Sequence, residues 1–214
     1  MTIWQDFLLN ERKVIHKWTH YFPIYERHFS PWVNKAVTFM EIGVSQGGSL
    51  SMWQRYLGPH ATIIGIDIDP SCAKHETPGI HVRIGDQSDT VFLDQVIDEF
   101  GVPDIVLDDG SHQMNDMITT FQHVYPKMLK NTVYMVEDLH TAYWDEYCSE
   151  NPLDNFLALS KAYVDVLNIE ESRGKVRPDP ILAGTFGISF YPSAVVYERV
   201  PHKMFSVATG YGGP

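Results

Sequence analysis

The chain has 214 residues, 44% hydrophobic and 13% aromatic, enough for one α/β domain with a full core. Twenty-seven acidic residues against 16 Lys and Arg give a formal charge of −11 with no basic cluster, which makes the chain a poor candidate for binding a nucleic-acid backbone. Two cysteines form neither a disulfide framework nor a metal-ligand spacing, so a cytoplasmic protein is expected; no apolar run spans a membrane, and Trp4 to Leu9 is too short for a secretion signal.

Trp4, Phe7, Leu8, Val14, Ile15 and Trp18 recur at helical spacing, which predicts a helix over Thr2 to His20. The next stretch, HYFPIYERHF, is dense in aromatics and punctuated by Pro23 and Pro31. It reads equally as a packing layer over a sheet or as a wall for a flat ligand. Residues 1–36 are thus set apart as a helical and aromatic arm, and residues 37–214 as the main domain.

Val37 to Ile42 predicts a strand, Gly43 to Ser49 (GVSQGGS) a glycine loop, and Ser49 to Tyr56 a helix. Strand, glycine loop and helix form the nucleotide-binding opening of a doubly wound fold. The loop lets a ligand approach the backbone, and the helix N-terminus welcomes a carboxylate or phosphate. The spacing is not GxGxxG, so a dinucleotide fingerprint is absent. Thr62 to Ile66 is a second strand, tipped by Asp67 where an acid suits ribose hydroxyls. Asp69, before Pro70, reads as a turn residue. Ile80 to Ile84 is a third strand, ending in Gly85, Asp86, Gln87 and Ser88, an acid and an amide suited to an adenine edge. Val91 to Phe100 reads as an amphipathic helix.

Two continuous apolar runs follow, Ile105-Val106-Leu107 and Val133-Tyr134-Met135-Val136. Short unbroken β-rich runs mark strands buried on both faces of a parallel sheet. Asn115 to Leu129, between them, is long enough for the crossover helix of a βαβ unit. The runs end in Asp108-Asp109 and Glu137-Asp138, so four carboxylates gather at the carboxyl edge where open α/β sheets bind ligands. Four acids in one crevice need a counter-charge, or some must stay protonated, and a hard divalent cation with oxygen ligands is the natural counter-charge. The alternative is that the acids cap helices in solvent. Two pairs at two strand ends, with His112 three residues after Asp109, favour a site. Further on, Tyr143-Trp144 is an aromatic pair. Asn155 to Leu167 predicts a helix, Glu170 to Pro180 a surface loop, and Gly187 to Tyr191 with Ala194 to Arg199 a hairpin about Pro192-Ser193. Phe205 to Pro214 is glycine-rich and expected to fray.

Taken together, EIGVSQGGSL, GIDID, GDQSD, DDGSH and VEDLHTAYW, preceded by HYFPIYERHF, resemble the class I S-adenosylmethionine-dependent methyltransferases, above all the metal-dependent macrolide-sugar O-methyltransferases of the mycinamicin and tylosin pathways and the cephalosporin hydroxylase-like group. The similarity runs from about Lys17 to Tyr197, and DDGSH followed by VED is its specific part. It implies a Rossmann-like α/β fold of seven strands, mostly parallel, with an antiparallel C-terminal hairpin strand. It implies S-adenosyl-L-methionine held by Glu41, Gly43, Gly48 and Ser49 at the methionine end, Asp67 at the ribose, Asp86, Gln87 and Ser88 at the adenine end, and Asp108 near the cofactor's amino group. Asp109, Glu137 and Asp138 match the Mg2+ ligands and His112 the general base. The cofactor brings a strong electrophile, so the protein has to position and activate a hydroxyl. A metal holding two neighbouring hydroxyl oxygens acidifies one, and a histidine takes its proton. The expected substrate is a small-molecule acceptor, a sugar or glycoside hydroxyl, and a homo-oligomer is expected. A catechol acceptor also offers two adjacent oxygens. A non-catalytic partner or ligand-binding subunit of a biosynthetic complex is the reading from another class.

Overall fold

The computed structural model describes residues 1–200 except 12, 129, 130, 150 and 152–154. Phe205 to Pro214, expected to fray, lie outside the described residues. Seven strands form one sheet in the order β3-β2-β1-β4-β5-β7-β6. They are β1 (Thr38–Ile42), β2 (Thr62–Asp67), β3 (Ile80–Ile84), β4 (Ile105–Asp108), β5 (Thr132–Val136), β6 (Thr185–Tyr191) and β7 (Ala194–Arg199). Strands β1 to β5 pair in parallel, and β7 runs antiparallel to both β5 and β6. The order in which strands are added therefore reverses between β1 and β4, the switch point at which doubly wound sheets open a crevice.

The expected strands and hairpin are all present, and the apolar runs of the inner strands are covered on both faces. Phe39, Leu107 and Met135 pack on one side with Tyr25, Phe29 and Trp53. Met40, Ile42, Val106, Tyr134 and Val136 pack on the other, against Leu93 of α4 (Thr90–Phe100) and Met117 and Phe121 of α5 (Met114–Val124). Asp89 caps α4 by accepting from the Val91 and Phe92 amides at 2.9 and 3.2 Å, and Asn155 caps α6 (Phe156–Val166) through the Ala158 amide. Helix α5 ends before Pro126, which cannot continue it.

The arm departs from expectation. The helix predicted over Thr2 to His20 is only α1 (Ile3–Leu8); residues 10, 11 and 13–18 are extended or irregular. Val14 and Trp18 of the apolar set are exposed rather than buried. The periodicity is overridden by Lys17, whose side chain is drawn into the interior by acids from three strands. The aromatic stretch instead forms α2 (Phe22–Phe29), whose Phe22, Ile24, Tyr25 and Phe29 are buried. It is a packing layer, and its N-terminal neighbours Lys17, Trp18 and Tyr21 also line a cavity at the sheet edge. No helix among the described residues is long and apolar enough to cross a membrane.

Candidate active site

Backbone bonds carry the parallel ladder past the ends of the strands. The Asp109 amide donates to the Ile42 carbonyl at 2.9 Å, and the Glu137 amide to the Asp108 carbonyl at 2.9 Å. Glu41 therefore sits opposite Leu107, and Asp109 falls beside Glu137. Alternation along each strand sends Glu41, Asp109 and Glu137 to the face under the arm. Asp108 points to the opposite face, fully buried, where it accepts from Gln87 Nε2 at 3.1 Å and Tyr134 Oη at 3.3 Å. Asp138 would follow Asp108, but its backbone is left-handed (φ +55°), and its carboxylate turns back to lie 3.5 Å from His112 Nε2. His112 is left-handed too (φ +58°) and stands 3.9 Å from Asp109 Oδ1. Non-glycine residues hold this conformation where surroundings impose it, commonly at sites. Ligand-capable atoms of Asp109, His112 and Asp138 all lie within 4.8 Å of one another.

The glycine loop closes over this cluster. At Gly43 (φ +95°) a Cβ would lie 2.0 Å from the Asp109 carbonyl oxygen, so only glycine lets β1 turn beside β4. At Gly48 a Cβ would meet the Val14 carbonyl oxygen at 2.0 Å, because the arm crosses the start of α3 (Gly48–Leu57) there. A cavity of about 290 Å3 results, bordered by the loop, Lys17, Asp67, Asp109, His112 and Asp138. A second, of about 190 Å3, shares Gly43, Asp67 and Gly110 with it and reaches Asp86 and Ile68.

The electrostatics centre on Lys17, which sequence reasoning passed over as a site residue. Its ammonium lies 2.5 Å from Asp109 Oδ2, 3.1 Å from Glu137 Oε2 and 3.1 Å from Glu41 Oε1. Burial alone would favour the neutral amine, but the carboxylates outweigh it and hold the pKa well above the ordinary lysine value. Glu137 is pushed up to about 8 by burial, which Lys17 opposes and Asp109 reinforces. Its other oxygen, Oε1, accepts from the Tyr25 hydroxyl. Ser49 Oγ donates to Glu41 Oε2 at 2.7 Å, tying α3 to the same network. Tyr21 Oη donates to Asp138 Oδ1 at 2.8 Å. The 4-residue spacing of Lys17, Tyr21 and Tyr25 was the one available signal for these donors.

The remaining expected residues divide. Asp67 lines both cavities. Burial opposes its ionisation, yet the Asp69, Ser45 and Val44 amides donate to its oxygens and hold its pKa below the usual value. Asp69 accepts from the Ser71 amide at 2.8 Å, the turn role expected of it. Asp86 is exposed and accepts from the Ser88 amide and hydroxyl. Gln87 turns inward: Nε2 donates to Asp108 and Thr120, and Oε1 accepts from the Ser111 amide.

Burial pushes Asp108 up to about 7, against 3.8 for an ordinary aspartate. With the folded pKa raised, the native state binds more protons than the unfolded chain between those values, so this group removes stability as pH rises through that window. Asp108→Asn should therefore flatten the fall in Tm between about pH 4 and pH 8. Differential scanning calorimetry across that range checks this; an unchanged slope would show that Asp108 ionises freely.

No family model matches the chain. It is 33% identical over 204 residues to the 8-demethyl-8-α-L-rhamnosyl tetracenomycin-C 2'-O-methyltransferase of Streptomyces olivaceus, covering 90% of this chain and 52% of that protein. It is 35% identical over 196 residues to the mycinamicin VI 2''-O-methyltransferase of Micromonospora griseorubida, covering 84% and 48%. The chain spans about half the length of the curated relatives it matches. Among solved structures, the MycE methyltransferase of the mycinamycin pathway in complex with Mg and SAH superposes with a TM-score of 0.78 at 31% identity, over 86% of this chain and 50% of that one.

Proposed function

We propose, from the premise that this chain belongs to the class I S-adenosylmethionine-dependent methyltransferases of the natural-product sugar type, that it methylates a hydroxyl of a sugar or glycoside with the help of a divalent cation. The observation that carries this reading is the convergence of Asp109, His112 and Asp138 in the lining of the glycine-loop cavity. Hard carboxylate oxygens fit Mg2+. Asp109, Glu137 and Asp138 would hold it; the Glu137 oxygens already accept from Lys17 and Tyr25 but keep further lone pairs. S-adenosylmethionine supplies an electrophilic methyl group, and the cation supplies Lewis acidity at the acceptor hydroxyl.

The chain's own residues do the rest. Gly43, Gly48 and Ser49, with Glu41 behind Ser49, would hold the methionine end of the cofactor, and Asp67 would accept from its ribose hydroxyls. Asp86, fixed by Ser88, would meet the adenine end, while Gln87 and Asp108 brace the β3 and β4 tips from inside. His112 accepts the acceptor's proton. Trp18 and Trp144 are half-exposed, and His140 between them lies 6.0 and 4.8 Å from their rings, which suits the apolar face of a sugar ring.

Chelation tests the reading. With S-adenosylmethionine and a panel of rhamnosides, other glycosides and catechols, EDTA should abolish methyl transfer and added Mg2+ restore it, followed by mass spectrometry of the products. Full turnover in a thoroughly chelated sample would remove the cation. Transfer to catechols alone would move the acceptor away from sugars.

A further inference from the structure

The arm grips the acids at the tips of β4 and β5 with three donors spaced four residues apart. Lys17 takes Asp109 Oδ2 and Glu137 Oε2, Tyr25 takes Glu137 Oε1, and Tyr21 takes Asp138 Oδ1. For Asp109 and Asp138 this leaves the other oxygen, Oδ1 and Oδ2 respectively, on the side of His112. The arm thus fixes Asp109 and Asp138 from behind and leaves one oxygen of each open, while it holds both oxygens of Glu137.

Tyr21 does more than donate. The Asp138 amide donates to the same hydroxyl oxygen at 3.1 Å, so one phenol clamps both the carboxylate and the backbone of a left-handed residue. The Tyr21 ring is itself buried, 4.4 Å from His20 and 6.2 Å from Tyr25, so the clamp is anchored in the aromatic layer. Without the hydroxyl, the strained turn at Asp138 would lose a donor to its carboxylate and an acceptor for its amide.

We propose that Tyr21 is a positioning residue: it sets the Asp138 carboxylate for the divalent cation, with Lys17 and Tyr25 doing the same for Asp109 and Glu137. This rests on the cation site proposed above. Groups that hold metal ligands from behind govern affinity because a ligand free to rotate must be ordered each time it binds. Tyr21 and Tyr25 are neutral donors, so removing either hydroxyl changes orientation without changing the charge facing the cation.

The experiment titrates Mn2+ into the full chain and its Tyr21→Phe and Asp138→Asn variants by isothermal calorimetry, without acceptor. S-adenosylhomocysteine affinity in metal-free buffer serves as the measure of an intact fold. The expected result is a Mn2+ affinity lower by about 10–100-fold in Tyr21→Phe, at unchanged S-adenosylhomocysteine affinity. If Asp138→Asn weakens Mn2+ and Tyr21→Phe does not, positioning by Tyr21 is overturned and the cation site stands. If Asp138→Asn binds Mn2+ as wild type does, the site and this inference fall together. A Tyr21→Phe variant that loses S-adenosylhomocysteine as well would make Tyr21 a structural residue, and the proposal fails.

Discussion

Replacing Lys17 by methionine should lower the free energy of unfolding by about 3–5 kcal/mol, the usual loss when one partner of a buried ion pair is removed. Lys17 is 3% exposed and faces Glu41 and Glu137, which are 0% and 1% exposed, so solvent cannot take over its role. Methionine keeps the volume of the stem, which confines the effect to charge. The pH dependence has a definite sign. Glu137 already titrates near 8 with the ammonium beside it, and loss of that cation raises it further. A carboxylate with a raised folded pKa removes stability as pH climbs from its unfolded value to its folded one. The deficit of the variant should thus be small near pH 5 and largest near pH 9. Urea unfolding followed by tryptophan fluorescence at both values measures it. Pairing Lys17→Met with Glu137→Gln should recover part of the loss, since the two sites are in contact and not additive. A single variant as stable as wild type at alkaline pH would show that the acids are neutral and need no counterion.

His112→Ala should lower kcat by about 10²–10⁴-fold if His112 is the general base. Its Nε2 faces both open carboxylate oxygens, 3.9 and 3.5 Å away, which is the direction of the proposed cation and the acceptor hydroxyl. In the base role, Mn2+ and S-adenosylhomocysteine affinities stay near wild type and the rising acid limb of the pH–rate profile disappears. The same geometry would let imidazole nitrogen serve as a ligand. In that case Mn2+ affinity drops along with kcat, and a high metal concentration restores most of the rate. Single-turnover rates at saturating cofactor and rising Mg2+ separate the two. Turnover within a few-fold of wild type at ordinary Mg2+ excludes both roles.

The strands, the crevice and the acids were legible because each depends on local order. Ile105 to Leu107 and Val133 to Val136 are continuous apolar runs, and such runs become inner strands of a parallel sheet whatever surrounds them. Acids at the ends of parallel neighbours must share an edge, so Asp109 and Glu137 could be brought together on paper. Asp108, gathered with the other three acids in one crevice by the sequence reading, instead points to the opposite face, where the two-residue period of a strand sends the neighbour of Asp109. Three things were decided only by the folded chain. The arm gave up its helical periodicity after Leu8 because burying Lys17 among three carboxylates outweighs exposing Val14 and Trp18. Asp138 left the strand alternation through a left-handed turn that Tyr21, 117 residues earlier, holds in place. Gln87 lines the second cavity beside Asp86, but its amide is bound from inside by the buried Asp108 carboxylate 21 residues away. Each is a polar contact between segments distant in sequence. Spacing along a chain records which face a side chain takes, but not which donor from elsewhere will arrive to satisfy a buried charge.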